Sequence, residues 1–400
     1  MEEKEVTKQN EARPEESSSD SLFGRTTRRQ FIGRSGGVAL AIGGSSAFLA
    51  ACGGGSSSGG EVNVLSWISY VDPTVKKLWA ESYPDIKLNG VAADADQNMF
   101  NKLKAGGGGS YDVVFANAGW APTYYDQGLT EIIDLTKIPS SKELYPIFRE
   151  DTSLPIVKAK DKLLLYPNMW ASLSMTWNTQ VDFQPPEPYS WSAFWSPDIP
   201  ENHVMLQGGG DDVIAMAGIE QGVPREDIYS MKGAQLQNAV NRLIELKPFQ
   251  LNPNVLPQFR QAIISEQAWI GYTSDLSAGP LINEETGEDT AKSVVPEEGT
   301  VGWIDGPQLV KNAKNRENAL TFIDWFASNE ELQSYLWDAY RFAQCNQKSV
   351  ERVLAKGGKQ AKLAQDINAD KPETVKQITL QRPADDPAAW AAAWDEVTGA

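Results

Sequence analysis

The chain has 400 residues and a formal net charge of −17, and both facts limit what it can be. A strongly acidic surface repels nucleic acid phosphates and anionic lipid, so we expect no nucleic acid partner, and a cationic small molecule suits the charge better. The length allows two domains with ordinary cores, for which 13 Trp, 13 Phe and 12 Tyr supply the material.

The N-terminal segment carries the pattern of an export signal. Arg28-Arg29 precedes an apolar run, Val38 to Leu49, which is too short to span a bilayer of about 30 Å. Its glycines would each cost about 1 kcal/mol in the alternative, a buried helix. The segment resembles a twin-arginine signal, and Leu49-Ala50-Ala51-Cys52 resembles the lipobox of bacterial lipoproteins. This resemblance implies that residues 1–51 are a signal peptide and that Cys52 becomes a lipidated N-terminus.

A tether follows the signal. Residues 53–60 contain only Gly and Ser, so we predict a flexible linker over residues 52–60 and a folded part that begins near Glu61. The lipid anchor implies an extracytoplasmic protein, held at the outer face of the cell membrane on its periplasmic side. Once Cys52 carries lipid, Cys345 is the only other cysteine, so no intrachain disulfide is expected.

Strands and helices alternate in the first part of the folded chain. Residues 62–65 indicate a strand that ends at Ser66-Trp67, and Asp72-Pro73 then supplies an N-cap followed by proline at the first helical position. The strand, helix and strand that follow are residues 86–91, 98–104 and 112–116. Such a βαβ run predicts a mostly parallel sheet.

A long extended stretch, residues 162–178, interrupts this alternation and is typical of a chain that crosses from one lobe to another. Trp191 to Trp195 begins the second lobe. Its predicted strands are 204–206 and 268–272, and its predicted helices start at 211 and 236. Residues 302–305 indicate a second crossing, which the helices 318–326 and 330–340 follow.

These elements predict an α/β protein of two lobes joined by a hinge, with a cleft between them. Each lobe is expected to be a mixed, mostly parallel sheet flanked by helices. The predicted first lobe comprises residues 61–167 and 305–350. The predicted second lobe comprises residues 168–304 and 351–400.

Several segments occur in the order found in the substrate-binding proteins of ABC importers. They are residues 66–70, 99–103, 111–114, 167–178, 191–195, 302–305 and 312–315. From about residue 62 to 381 the chain resembles this family, and it is most similar to the spermidine/putrescine-binding members. The resemblance implies a two-lobe periplasmic-binding-protein fold, a small ligand in the interlobe cleft, a membrane permease as partner, and no catalysis or cofactor. A monomer is expected.

A polyamine makes definite demands on its site, because it is a chain of methylenes with ammonium ends. Aromatic faces provide apolar walls and cation–π attraction, about 0.5 to 2 kcal/mol each. Charge-assisted hydrogen bonds to carboxylates contribute roughly 1.5 to 3 kcal/mol each. Micromolar affinity needs about 8 kcal/mol, so three or four such contacts in a preorganised cleft suffice.

The resemblance assigns seven residues to the predicted ligand site, and Asn117 is added as an eighth that compensates for missing contacts. Four of them match or replace aromatic positions of the family: Trp67, Tyr70, Trp303 and Phe342. Asp305 matches a carboxylate that holds an amine, Asp212 stands where the family has Glu, and Gln381 matches a C-terminal amide contact. Asn117 offers a further amide.

The chain also departs from the family at four site positions. Ser69 and Gly209 stand in place of acidic residues, Thr273 in place of a tryptophan and Gly119 in place of a tyrosine. Asp211 and Asp275 lie close enough in sequence to compensate for the carboxylates. Loss of one carboxylate partner weakens amine binding roughly tenfold or more. The ligand therefore stays open between a polyamine, a shorter diamine, an amino-acid derivative, and a sugar or neutral polyol.

A surface-tethered hydrolase is the competing class of protein, and few features of the sequence support it. The single histidine, His203, argues against histidine metal clusters and Ser-His-Asp triads. Glu284-Glu285 and Asp385-Asp386 are consecutive pairs, which do not face each other as glycosidase carboxylates must.

Gly106 to Gly109 lacks the Lys-Ser/Thr pair of a phosphate loop. Gly208 to Gly210 follows a strand and precedes a helix, so its amides could face an anionic group. We expect no catalytic residue and no metal site.

Overall fold

The architecture is taken from a computed structural model that describes residues 59–106, 109–207, 209–250, 259–274 and 290–399. All of these residues belong to one unit, Ser57–Ala400. The predicted signal peptide, Cys52, most of the tether and Asp275 lie outside the described residues. Within the described ranges, no helix combines the length and the apolar character needed to cross a membrane.

The secondary structure follows the predicted alternation of strands and helices. The strands are β1 (Gly60–Ser66), β2 (Ile86–Ala92), β3 (Val113–Asn117), β4 (Thr130–Glu131), β5 (Ile133–Asp134), β6 (Val157–Ala159), β7 (Lys162–Leu163), β8 (Met169–Asn178), β9 (Val204–Leu206), β10 (Ile270–Ser274), β11 (Ala291–Val294), β12 (Thr300–Val310), β13 (Ala343–Gln344) and β14 (Ile378–Leu380). The helices are α1 (Pro73–Ser82), α2 (Asp96–Gly106), α3 (Ala121–Asp126), α4 (Ile147–Glu150), α5 (Gly210–Glu220), α6 (Ala234–Leu246), α7 (Phe259–Ile264), α8 (Arg316–Ser328), α9 (Glu330–Tyr340), α10 (Gln347–Ala355), α11 (Gly358–Asp366) and α12 (Pro387–Gly399).

Local signals account for the first βα unit. The Asp72 carboxylate accepts a hydrogen bond from the backbone N–H of Val75 at 2.9 Å, which caps α1 as predicted, and Pro73 takes the first helical position. Strand β1 then pairs in parallel with both β2 and β3, so the predicted parallel βαβ arrangement is confirmed.

The two long strands β8 and β12 join the halves of the sheet. The described strands run in the order β2-β1-β3-β12-β8-β10-β9, with β12 antiparallel to β3 and to β8. Strand β10 pairs in parallel with β9 at the far end. The predicted α/β class with mixed sheets is therefore confirmed, and the two segments predicted as crossings lie side by side, with Asp305 opposite Met169.

Two hydrophobic cores lie on either side of these crossings. On β8, Trp170 packs in the first core and Leu173 in the second. Strand β12 passes from the second core to the first between Trp303 and Ile304. Trp303 packs against the second core, and Ile304 belongs to the first. A third crossing lies beyond β14, since Ala384 and α12 belong to the second core.

The C-terminal region divides differently from the predicted boundary. The predicted second lobe includes residues 351–400, yet Val353, Leu363 and Val375 are buried in the first core. Only α12 returns to the second core. Because buried apolar contacts decide where a segment belongs, we propose that the first lobe extends to about residue 380.

The crossing strands are packed so closely that two positions exclude any side chain. A Cβ atom on Gly306 would lie 1.8 Å from the carbonyl oxygen of Tyr166, and one on Gly302 would lie 2.4 Å from that of Ala171. Both obstacles are backbone atoms of the neighbouring crossing segment. Glycine at these positions therefore lets the two segments meet where the lobes join.

Candidate functional site

Asp305 lies on β12 next to the point where that strand passes between the cores, and it is 8% exposed. Its Oδ2 accepts a hydrogen bond from the Tyr70 hydroxyl at 3.2 Å. Burial and the negative charge of Asp96 raise the pKa of Asp305 well above its ordinary value, while the bond from Tyr70 lowers it. The charged form of this carboxyl is thus unfavourable by itself, and a bound cation would relieve that penalty.

Asn117 ends β3 directly opposite Asp305 in the β3–β12 ladder. Its backbone N–H donates to Oδ1 of Asp96 at 2.9 Å, and its Nδ2 donates to Oδ2 of Asp96 at 2.8 Å. Asp96 opens α2. Burial raises the pKa of Asp96 to about 6, although both hydrogen bonds from Asn117 lower it. Asn117 therefore binds one carboxylate and pairs across the sheet with another.

The Gln381 amide joins the first lobe to the second. Its Oε1 accepts from Asn117 Nδ2 at 3.5 Å, the outer limit of a hydrogen bond, and its Nε2 donates to Asp212 Oδ2 at 2.9 Å. Asp212 lies in the first turn of α5. Burial raises the pKa of Asp212 to about 6, against the lowering effect of the Gln381 bond. A continuous chain of polar side chains thus runs from Asp96 to Asp212.

Aromatic rings extend from this polar chain in two groups. The Trp67 and Tyr70 rings meet edge to face, with centroids 6.0 Å apart. The Trp303 and Phe342 rings also meet edge to face, at 5.7 Å, and Tyr340 stacks beside Phe342 at 6.4 Å. Trp67, Trp303 and Phe342 are half-buried, so each keeps ring surface open to solvent or to a ligand.

Six of the eight predicted ligand residues form one connected set, and the other two form a separate ring pair. Hydrogen bonds, a ring contact and strand pairing link Trp67, Tyr70, Asn117, Asp212, Asp305 and Gln381. Trp303 and Phe342 contact each other. Contact of these eight residues with a ligand stays a prediction, because the structure shows only their proximity.

The predicted compensating acids and the family departures have separate structural contexts. Asp211 is exposed beside Asp212 and acts on it through charge, which raises the pKa of Asp212. Thr273 is buried and donates its hydroxyl to the Gln207 side chain. At Gly119, a Cβ atom would lie 2.2 Å from the carbonyl oxygen of Gln381, so the third crossing occupies the space of a side chain there.

No local sequence pattern points to Asp96, Tyr229 or Tyr340 as neighbours of the predicted site residues. An acidic residue in the first turn of a helix is ordinarily explained by the helix dipole, which made Asp96 inconspicuous. The position of Asp96 in the chain does indicate a site residue. Helix α2 follows strand β2, and ligands bind beyond the carboxyl ends of parallel strands. Tyr229, whose hydroxyl lies 3.5 Å from Asp212 Oδ1, gave no local signal.

The buried Asp305 and the half-buried Asp96 and Asp212 have no cationic partner among the residues that the structure describes. No ion pair among the described residues involves Asp96, Asp212 or Asp305. Within the same residues, no group of His, Cys, Asp and Glu side chains is arranged to hold a metal ion. The site can therefore offer negative charge and aromatic surface to an organic cation.

Comparison with known proteins places these observations in context. A family model described as bacterial extracellular solute-binding protein matches residues 76–366. The spermidine/putrescine-binding periplasmic protein 1 of Haemophilus influenzae is 25% identical over 276 residues, which cover 68% of this chain and 72% of the relative.

Two solved structures share the fold at low identity. The spermidine/putrescine ABC transporter substrate-binding protein of Streptococcus pneumoniae has a TM-score of 0.63 and 21% identity, covering 84% of this chain and 97% of the other. The Tp0655 lipoprotein of Treponema pallidum has a TM-score of 0.63 and 16% identity, covering 84% and 99%. The periplasmic-binding-protein fold predicted from the sequence is confirmed by these similarities.

Proposed function

The chain belongs to the bacterial extracellular solute-binding proteins, and from this premise we propose that it captures a polyamine of the spermidine/putrescine type for an ABC importer. The family consists of binding proteins that work outside the cytoplasmic membrane, not of enzymes. The relative from Haemophilus influenzae is named for the same ligand class.

One observation carries the choice of ligand. Asp305 and Asp212 take part in no ion pair among the described residues, although burial raises the pKa of both carboxyls. Gln381 donates to the Asp212 carboxylate and contacts Asn117, which is the neighbour of Asp305 in the β3–β12 ladder. Trp303 lies two residues before Asp305 on the same face of β12, and its ring contacts Phe342. Two ammonium–carboxylate contacts at roughly 1.5 to 3 kcal/mol each, with two ring contacts at about 0.5 to 2 kcal/mol each, approach the roughly 8 kcal/mol of a micromolar complex.

Ligand binding would act on the hinge formed by the crossing segments. A diamine that contacts Asp305 in the first lobe and Asp212 in the second binds the closed arrangement better than an open one, so it shifts the population toward closure. The closed monomer is the form that we propose the membrane permease recognises.

The test is calorimetric titration of the purified protein with putrescine, spermidine, and a panel of amino acids, sugars and polyols. We expect saturable polyamine binding at micromolar or better affinity that weakens as salt is added. Binding of a neutral sugar or an amino acid, with no response to amines, would keep the solute-binding role and reject the polyamine. Conversion of any tested compound into a product would instead support the alternative of a surface-tethered hydrolase.

Anchoring is a second part of the proposal. The twin-arginine pattern and Cys52, which lie outside the described residues, support folded export followed by lipidation, and a relative of the same fold is described as a lipoprotein. Lipid on Cys52 would keep the binding protein close to its permease. Membrane fractionation tests this proposal: we expect the Cys52→Ala variant in the soluble fraction, and its retention with the membrane would contradict lipidation.

A further inference from the structure

Asp96 is the carboxylate of this site that the family resemblance leaves without a role. It holds the end of β3 through two hydrogen bonds to Asn117, at 2.9 and 2.8 Å. Because Asn117 pairs with Asp305 across the sheet, the side chains of the two residues project from the same face. The charge of Asp96 is close enough to Asp305 to disfavour ionisation of the Asp305 carboxyl.

Asn117 supplies an independent sign of a missing donor. Its Nδ2 is directed at Asp96, which fixes the orientation of the amide. Its Oδ1 is buried and accepts no hydrogen bond from any residue that the structure describes. Buried amide oxygens in native proteins are nearly always satisfied, so this oxygen points to a donor supplied by the ligand. An ammonium group, with three N–H bonds, provides donors for several acceptors at once.

Two tyrosine hydroxyls bond to groups of Asp96 and Asp305. Tyr124 on α3 donates its hydroxyl to the Asp96 carbonyl oxygen at 3.3 Å, and burial raises the pKa of this tyrosine. Tyr70 bonds to Asp305, and its pKa is raised by burial as well. No described ion pair brings a lysine, an arginine or His203 to Asp96. We therefore expect a positive charge next to Asp96 to come from the ligand.

We propose that Asp96 is a specificity-determining residue of the ligand site, and that Asp96, Asp305 and the amide oxygen of Asn117 together hold one ammonium group of the ligand. This inference rests on the proposed function. Asp212, on the second lobe, is then free for another ammonium group, so the site selects ligands with at least two amines over monoamines. Charge complementarity of this kind discriminates because a monoamine leaves one of the carboxylates without a cation.

The experiment is calorimetric titration of the full protein with putrescine in buffers of different ionisation enthalpy at pH 6, repeated at pH 7.5. An ammonium that binds next to protonated carboxyls expels their protons, so the wild type should release protons at pH 6. Asp96→Asn should weaken putrescine binding about tenfold at pH 7.5 and reduce the protons released at pH 6. Asp94→Asn, which removes an exposed charge two residues away, should change neither quantity.

Each outcome decides the proposal. If Asp96→Asn weakens putrescine binding but releases as many protons as the wild type, Asp96 only positions Asn117. If the affinity of Asp96→Asn is unchanged, Asp96 does not belong to the ligand site. Either result overturns the proposed charge role of Asp96 and leaves the proposal of polyamine binding intact. If Asp96→Asn fails to fold, Asp96→Glu is measured in its place. The Asp96→Glu variant keeps the negative charge, so it should still release protons on binding putrescine. Absence of proton release by the wild type would also overturn the inference. Absence of any polyamine binding by the wild type would overturn the proposed function with it.

Discussion

At the residue scale, the site is built from polar groups whose burial is only partly compensated. Asp305 receives one neutral hydrogen bond from Tyr70, and the amide oxygen of Asn117 receives none from the described residues. Such groups lower the stability of the ligand-free protein and become favourable contacts when a ligand with complementary charge arrives. Stability and function therefore oppose each other at these positions.

The Asp305→Asn variant should separate the two effects. The amide retains an acceptor for the Tyr70 hydroxyl but loses the charge, so we expect putrescine affinity to fall at least about tenfold. The melting temperature of the ligand-free protein should stay within a few degrees, or rise at pH 8 because a buried carboxylate is no longer ionised there. Calorimetry and thermal unfolding measure both quantities.

Asp338→Asn is the matched control for Asp305→Asn. Asp338 is exposed on α9, so its loss changes the net charge by the same amount without altering the site. We expect its putrescine affinity to stay within twofold of the wild type. Equal affinity of the Asp305 variant and this control would show that the ligand does not contact Asp305.

At the scale of elements, the crossing strands position the site. All ten residues of β8 are buried, and β12 brings Trp303 and Asp305 to one face while Ile304 enters the first core. The extended patterns of residues 162–178 and 302–305 were visible in the sequence, because strand period and missing turn residues are local properties. Their pairing with each other was not visible, because register depends on contacts between residues far apart in the chain.

The Gly306→Ala variant should be strongly destabilised. Its added methyl group would lie 1.8 Å from the Tyr166 carbonyl oxygen, and neither backbone can move without displacing a crossing strand. Overpacking of a core ordinarily costs about 1 to 3 kcal/mol, and we expect the upper end or more here. The shift of the urea unfolding midpoint is the measurement.

Gly106→Ala provides the comparison for this element. Gly106 lies in the last turn of α2, and a Cβ atom there would meet nothing within 4 Å. Alanine is the better helix former by about 1 kcal/mol, so we expect a midpoint equal to or slightly above that of the wild type. Equal destabilisation of both variants would mean that the close approach at Gly306 is absent from the protein in solution.

At the scale of the whole molecule, two cores are joined by three crossings, and the third crossing carries Gln381. This residue contacts Asn117 of the first lobe and Asp212 of the second. The polar chain consequently depends on the relative placement of the lobes. The pKa values of its carboxyls should therefore change when the relative placement of the lobes changes.

Stability of the ligand-free protein should depend on pH through these carboxyls. Asp96 and Asp212 have a pKa of about 6 in the folded protein against an ordinary value of 3.8. The folded state therefore holds protons that the unfolded chain has released between about pH 4 and 6, so stability falls as the pH rises through this window. The loss is at most roughly 3 kcal/mol per carboxyl.

The pH effect is best measured as a difference between the wild type and Asp212→Asn. Thermal unfolding from pH 4 to 7 should show the variant gaining stability relative to the wild type as the pH rises, since the variant has no proton to lose at this position. Saturating putrescine should stabilise the wild type more than the variant. A pH-independent difference would show that Asp212 titrates normally.

The sequence by itself determined the order of strands and helices, the capped start of α1, the two-lobe α/β class and the family, because periodicity, caps and collinear segments are local or sequential features. It also named the six residues that the structure connects and the separate Trp303–Phe342 ring pair. The tertiary structure alone decided that residues 351–378 pack in the first core and that Gln381 joins the lobes. It alone decided that the charge of Asp96 acts on the Asp305 carboxyl. Burial, charge proximity and missing hydrogen-bond partners arise between segments far apart in sequence, so no local pattern records them.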